Sequence, residues 1–292
     1  MPRVDTGQVQ LHYERFGEGE PIVLIMGLGA QMVMWDEDFC RRLADAGFSV
    51  IRFDNRDAGE STHLDHLGIP PVGRQIMRWS LGLPVQSHYT LHDMAADVRG
   101  LLDGLGIDAA HVVGASMGGM IAQQLAIDTP DRVRSLTSIM SHPGDRLSGI
   151  PRPNALAALF LRPPPKTAKQ AEEHVVNLFA TVGGRAVVGD EDMLRRQARR
   201  TFERGVSPAG FARQLGALLT AKDRRRALAR VRKPSLVVHG SEDPLVRPRG
   251  GEQTARSLPE GEFLLLDGMG HHVASRHWDR IIDAITRTAG RA

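Results

Sequence analysis

The chain has 292 residues, 41% of them hydrophobic, with a formal net charge of +3 at pH 7. That is ample for a packed core in one large domain or two small ones. The single cysteine, Cys40, excludes an internal disulfide framework, and no Cys/His spacing suits a zinc site.

Residues 9–16 alternate as an N-terminal strand expected to pair antiparallel, and 21–26 form a continuous apolar run suited to a strand buried on both faces. Residues 36–46 are amphipathic and stop at Gly47, a helix in which Cys40 packs. Residues 48–53 are the next strand, and 91–105 a helix with Thr90 as its N-cap. A strand at 110–114, a helix at 117–128 and a strand at 133–140 follow. This alternation predicts an α/β fold, a mostly parallel sheet with helices on both faces. The rhythm breaks after Gly144. Helical patterns at 167–182, 190–203 and 208–219 lie between it and the next apolar run, at 234–239. A last strand is expected at 262–267.

The charge is unevenly spread. Residues 145–230 carry 17 Lys+Arg and 8 Asp+Glu, a net of +9, leaving −6 for the rest. A solvated helical surface accounts for this, and so does steering of an anionic substrate. Without aromatic residues among these arginines, nucleic-acid binding is not expected. The apolar stretch at 21–35 is too short and too rich in glycine to span a bilayer, and no hydrophobic signal region follows Met1. No membrane association and a cytoplasmic location are therefore the expectation.

Gly114-Ala115-Ser116-Met117-Gly118 falls where a strand turns into a helix. In that context Gly-x-Ser-x-Gly describes a nucleophile elbow: a strained turn lifts the serine hydroxyl above the sheet, in front of a helix N-terminus. A serine hydroxyl needs a base, and the base an orienting acid. Glu242 and Asp243 lie just past the strand at 234–240, and His271 and His272 just past the strand at 262–267. Both pairs are at strand-end positions, where open α/β sheets place their sites.

These residues, with 22–29 and 54–61, resemble the α/β-hydrolases over nearly the whole chain. Met26-Gly27, Arg56-Asp57-Ala58-Gly59-Glu60-Ser61 and Gly268-Met269-Gly270-His271 are most similar to the esterase branch that includes the aclacinomycin methylesterases. The stretch from Ser116 to Met120 is also similar to 3-oxoadipate enol-lactonases. The resemblance implies an α/β-hydrolase core at 1–144 and 231–292, with a helical cap at 145–230. It implies a Ser116–His271–Asp243 triad, with His271 preferred to His272 and Asp243 to Glu242. The backbone N–H groups of Leu28 and Met117 are the expected oxyanion donors. Many relatives carry His-Gly where this chain has Met26-Gly27, which removes a brace for that loop. The resemblance also implies that the 54–61 turn is structural, its Arg56 and Ser61 holding loops. Met32, Trp35 and His272 are candidates for lining a pocket.

The expected activity is cofactor-free hydrolysis of a small-molecule carboxylic ester. Enol-lactonase, thioesterase and perhydrolase activity use the same triad. A ligand receptor on a hydrolase scaffold, and a lyase or cofactor-free oxygenase, are the alternatives of other classes. No metal or cofactor is implied, and the sequence names neither the substrate nor the oligomeric state.

Overall fold

The computed structural model of the protein describes residues 2–145, 148, 150–160 and 164–292. The first half alternates as its apolar pattern requires: β1 (Arg3–Asp5), β2 (Gln10–Phe16), β3 (Glu20–Ile25), α1 (Glu37–Asp45), β4 (Phe48–Phe53), α2 (Val72–Ser80), α3 (Leu91–Gly104), β5 (Ala110–Ala115), α4 (Met117–Asp128) and β6 (Val133–Ile139). Only helices separate β6 from the next strand among the described residues: α5 (Pro153–Phe160), α6 (Ala168–Val182), α7 (Glu191–Glu203), α8 (Pro208–Leu219) and α9 (Arg225–Leu228). Then come β7 (Ser235–Gly240), α10 (Pro248–Ser257), β8 (Gly261–Leu266) and α11 (Trp278–Ala289).

The strands form one sheet in the order β1-β2-β4-β3-β5-β6-β7-β8. The pairs β1/β2 and β2/β4 are antiparallel, and β3 through β8 pair in parallel. Side chains alternate across the sheet and fill two cores. Val23, Ile25 and Val112 face α3 and α4, meeting Val98, Leu101 and Ile121. Ile22, Leu24 and Val113 face α1 and α11, meeting Phe39, Leu43, Ile281 and Ile285. Every residue of β4, β5 and β7 is buried, which is why each has an apolar centre (Val50-Ile51, Val112-Val113, Leu236-Val237-Val238) instead of a polar/apolar alternation. No helix among the described residues is long and apolar enough to cross a membrane.

Thr90 caps α3 as expected. Its side chain accepts the Asp93 N–H, and Asp93 Oδ2 in return accepts the Thr90 N–H at 2.7 Å. This reciprocal box satisfies two of the helix's free donors. Thr90→Ala should lower stability by about 1 kcal/mol. In urea titration the midpoint should fall while the slope stays constant.

Sequence reasoning missed β1, α2, α5, α9 and α10. α10 opens at Pro248 and holds Gly250 and Gly251, both poor helix formers. It forms because it packs on β7 and β8, a gain that propensity does not register.

Candidate active site

The loops after β3 and β5 leave the sheet at a point where the chain order reverses. From β3 the chain moves to β4 on one side, then crosses to β5 on the other. Loops from such neighbours diverge and open a crevice at the carboxyl ends of the strands. Ser116 stands in that crevice.

Ser116 has φ 57° and ψ −121°, a backbone state that costs an L-residue about 1–3 kcal/mol. Neighbours hold it there. Its N–H donates to Ile139 O at 2.8 Å. A Cβ added at Gly118 would lie 2.1 Å from Ile25 O, so the start of α4 can approach β3 only with glycine at this position. A serine at a helix N-cap ordinarily caps the helix. Ser116 does not. Its Oγ instead lies 2.9 Å from His271 Nε2.

His271 Nδ1 lies 2.8 Å from Asp243 Oδ2. A carboxylate at Nδ1 places the imidazole proton there and leaves Nε2 to accept the Ser116 hydroxyl. Asp243 is fully buried at its side chain, and its Oδ1 accepts the N–H groups of Leu245 and Val246, each at 2.9 Å. Burial by itself would raise its pKa, but the His271 charge and hydrogen bonding to His239 and His271 hold it at about 2. A carboxyl depressed from 3.8 to about 2 adds stability that is complete above 3.8 and is lost as pH falls toward 2. Acid titration should therefore cost the wild type about 2 kcal/mol more than Asp243→Asn between pH 4 and pH 2.

Neighbouring candidates are occupied elsewhere. Glu242 Oε2 accepts the Arg185 N–H at 2.9 Å. His239 Nε2 donates to Val246 O at 2.8 Å, which holds the Asp243 loop. His272 Nε2 meets Asp190 Oδ2 at 3.0 Å, and its ring packs on Phe179. These contacts brace the loop. Trp35 stacks on Phe39 in the core and is 1% exposed, and Met32 is fully buried, so neither offers surface to a ligand. Cys40 is buried in α1, and burial pushes its thiol up to about 12, which leaves no thiolate nucleophile.

The loop after β3 runs beside the serine. A Cβ on Gly27 would lie 3.1 Å from Ser116 Cβ and 3.5 Å from its Oγ. The Gly29 N–H is taken by Gln214 Oε1 at 2.8 Å. The Leu28 and Met117 N–H groups donate to no described residue. Asn55 Nδ2 holds the base of this loop through Met26 O at 2.9 Å, substituting for the absent histidine brace.

The 54–61 turn joins the loops to the inserted helices. Arg56 Nε pairs with Asp97 at 2.6 Å, and Ser61 Oγ donates to Asp54 O at 2.6 Å. Arg213 grips Asp57 with two bonds of 2.6 and 2.9 Å, both side chains fully buried, and Tyr89 Oη donates to the same carboxylate. Arg204 pairs with Asp54 and Glu60, Arg200 with Glu37, and Arg185 with Glu242 and Asp267. Four arginines of 145–230 thus stitch these helices to acidic partners elsewhere in the chain, while Arg195, Arg199 and Arg225 pair with acids of the same segment. The solvated-surface and steering readings both missed this use. At the opposite end, His271 N–H donates to Val182 O at 2.6 Å and Gly270 N–H to Gly183 O at 2.8 Å. Sequence reasoning missed Asp190, Arg204, Arg213 and Gln214. Its only hint was the +9 against −6 imbalance.

Comparison with known proteins agrees with this architecture. Rhodomycin D methylesterase DnrP of Streptomyces peucetius is 28% identical over 92% of this chain and 91% of its own length. The enol-lactonase of Burkholderia xenovorans LB400 superimposes with a TM-score of 0.71 at 23% identity, covering 99% of this chain and 98% of its own. The meta-cleavage product hydrolase of Pseudomonas fluorescens IP01 gives 0.74 at 18% identity, covering 100% and 98%. A family model for the alpha/beta hydrolase fold matches residues 20–275, and the chain belongs to that family.

Proposed function

We propose that the protein is a serine hydrolase that cleaves a carboxylic ester through an acyl-enzyme on Ser116. The observation that carries this reading is the hydrogen-bonded line from Ser116 Oγ to His271 (2.9 Å) and on to Asp243 (2.8 Å). In this reading His271 Nε2 takes the hydroxyl proton as Oγ attacks the carbonyl. The Leu28 and Met117 N–H groups receive the negative charge that develops on the carbonyl oxygen. His271 then protonates the leaving alcohol, and water activated by His271 releases the acid. Asp243, ionised down to about pH 2, keeps the imidazole oriented and stabilises its charged form. Residues 145–230 act as a cap that closes over the site while bracing both its loops. The choice of an ester is supported by the rhodomycin D methylesterase relative.

The purified protein should hydrolyse p-nitrophenyl acetate, and a fluorophosphonate should label Ser116, as located by peptide mass mapping. If it does neither, the reading is abandoned.

A further inference from the structure

The excess of basic residues around the site would suit an anionic substrate, but the arginines that reach inward are committed. Arg204 and Arg213 pair with the fully buried carboxylates of Asp54 and Asp57. Arg224 is buried against Gln123 Oε1 and His142 O. A paired, hydrogen-bonded guanidinium cannot turn toward a ligand without leaving a buried carboxylate unpaired.

Next to the oxyanion loop, α8 places an aromatic ring. Phe211 lies one helical turn before Gln214, so both face Gly29. Gln214 holds the Gly29 N–H, and a Cβ on Gly29 would sit 2.5 Å from Phe211 Cδ2. Gly29 has φ 67°, so this position is closed to other residues both by conformation and by the ring. Phe160 of α5 packs edge-on against Phe211, with centroids 5.9 Å apart and planes at 68°. Both rings, and Leu28, are only partly buried, so apolar surface remains free.

The direction of attack says which part of an ester meets this wall. The carbonyl oxygen must point at the Leu28 and Met117 N–H groups, and the leaving oxygen at His271 Nε2. The acyl substituent is the part free to extend along the loop at Gly29, which Phe211 of α8 touches. We propose that Phe211, backed by Phe160, is the specificity wall for the acyl group, and that the substrate is an uncharged ester with a bulky apolar or aromatic acyl part. This rests on the serine-hydrolase reading.

The test compares p-nitrophenyl acetate, phenylacetate and hemisuccinate on the wild type, Phe211→Ala and Phe211→Leu. The wild type should prefer phenylacetate to hemisuccinate. Phe211→Ala should lower kcat/KM for phenylacetate by about 10- to 100-fold, mainly through KM. The loss on acetate should be several-fold smaller, and Phe211→Leu should restore most of the phenylacetate activity. Equal losses on all three esters would mean that Phe211 only supports the fold, and a hemisuccinate preference would contradict an apolar wall. Either result overturns the proposal. A wild type that hydrolyses none of the esters and takes no fluorophosphonate overturns the hydrolase reading, and this inference falls with it.

Discussion

Ser116→Ala should lower kcat for p-nitrophenyl acetate by about five to six orders of magnitude, and His271→Ala by a similar factor. The double variant should be no slower than either single one. In the proposed mechanism Ser116 and His271 act on the same proton across one 2.9 Å contact, so removing either partner removes the whole function of the pair. The Leu28 and Met117 N–H groups survive both substitutions, so a residue of about 10³-fold over the uncatalysed rate should remain. Steady-state kinetics on enzyme of known concentration measure this. Additive losses in the double variant would show that the two residues do not act as a unit.

Arg213→Ala should destabilise the fold by about 3–5 kcal/mol. The substitution strands the fully buried Asp57 carboxylate, which then keeps only the Leu64 N–H and the Tyr89 hydroxyl. For a chain of this size the melting temperature should fall by about 10 °C. Changing the acid as well, in Arg213→Met with Asp57→Asn, should recover part of the loss because no charge is left buried. Scanning calorimetry on the double-mutant cycle isolates the pair's coupling. The singly changed protein should also lose esterase activity at temperatures where it stays folded. Arg213 adjoins Gln214 on α8, and Gln214 holds the Gly29 end of the loop after β3. If stability drops without any change in kcat, α8 is not a brace for that loop.

The frame of the molecule was legible because its signals are local. Residues 48–53 are mostly apolar and β-branched or aromatic, and β4 occupies that span. Gly114, Ser116 and Gly118 sit within five residues, and the close approach of α4 to β3 leaves no room for larger ones. The order Ser116, Asp243, His271 was equally readable, since each follows an apolar run that had to be a strand. The signal failed where stability comes from distant partners. Trp35 looks the same in sequence whether it faces a pocket or a core, and it is buried by stacking on Phe39, which Trp278 covers edge-on in turn. α10 defies its own propensity because β7 and β8 supply the packing.

The sequence by itself determined the α/β architecture, the strained turn at Ser116, and the two strand ends that carry an acid and a histidine; the resemblance chose Asp243 over Glu242 and His271 over His272. Periodicity, turn chemistry and strand-end position are local properties of the chain. Only the tertiary structure decided how the basic stretch at 145–230 is used. Arg213 and Asp57 are 156 positions apart, and Arg204 and Asp54 are 150 apart. A linear pattern records the surplus of charge but not its partners, because pairing depends on which surfaces the fold brings together. The same packing sets Phe211 against Gly29.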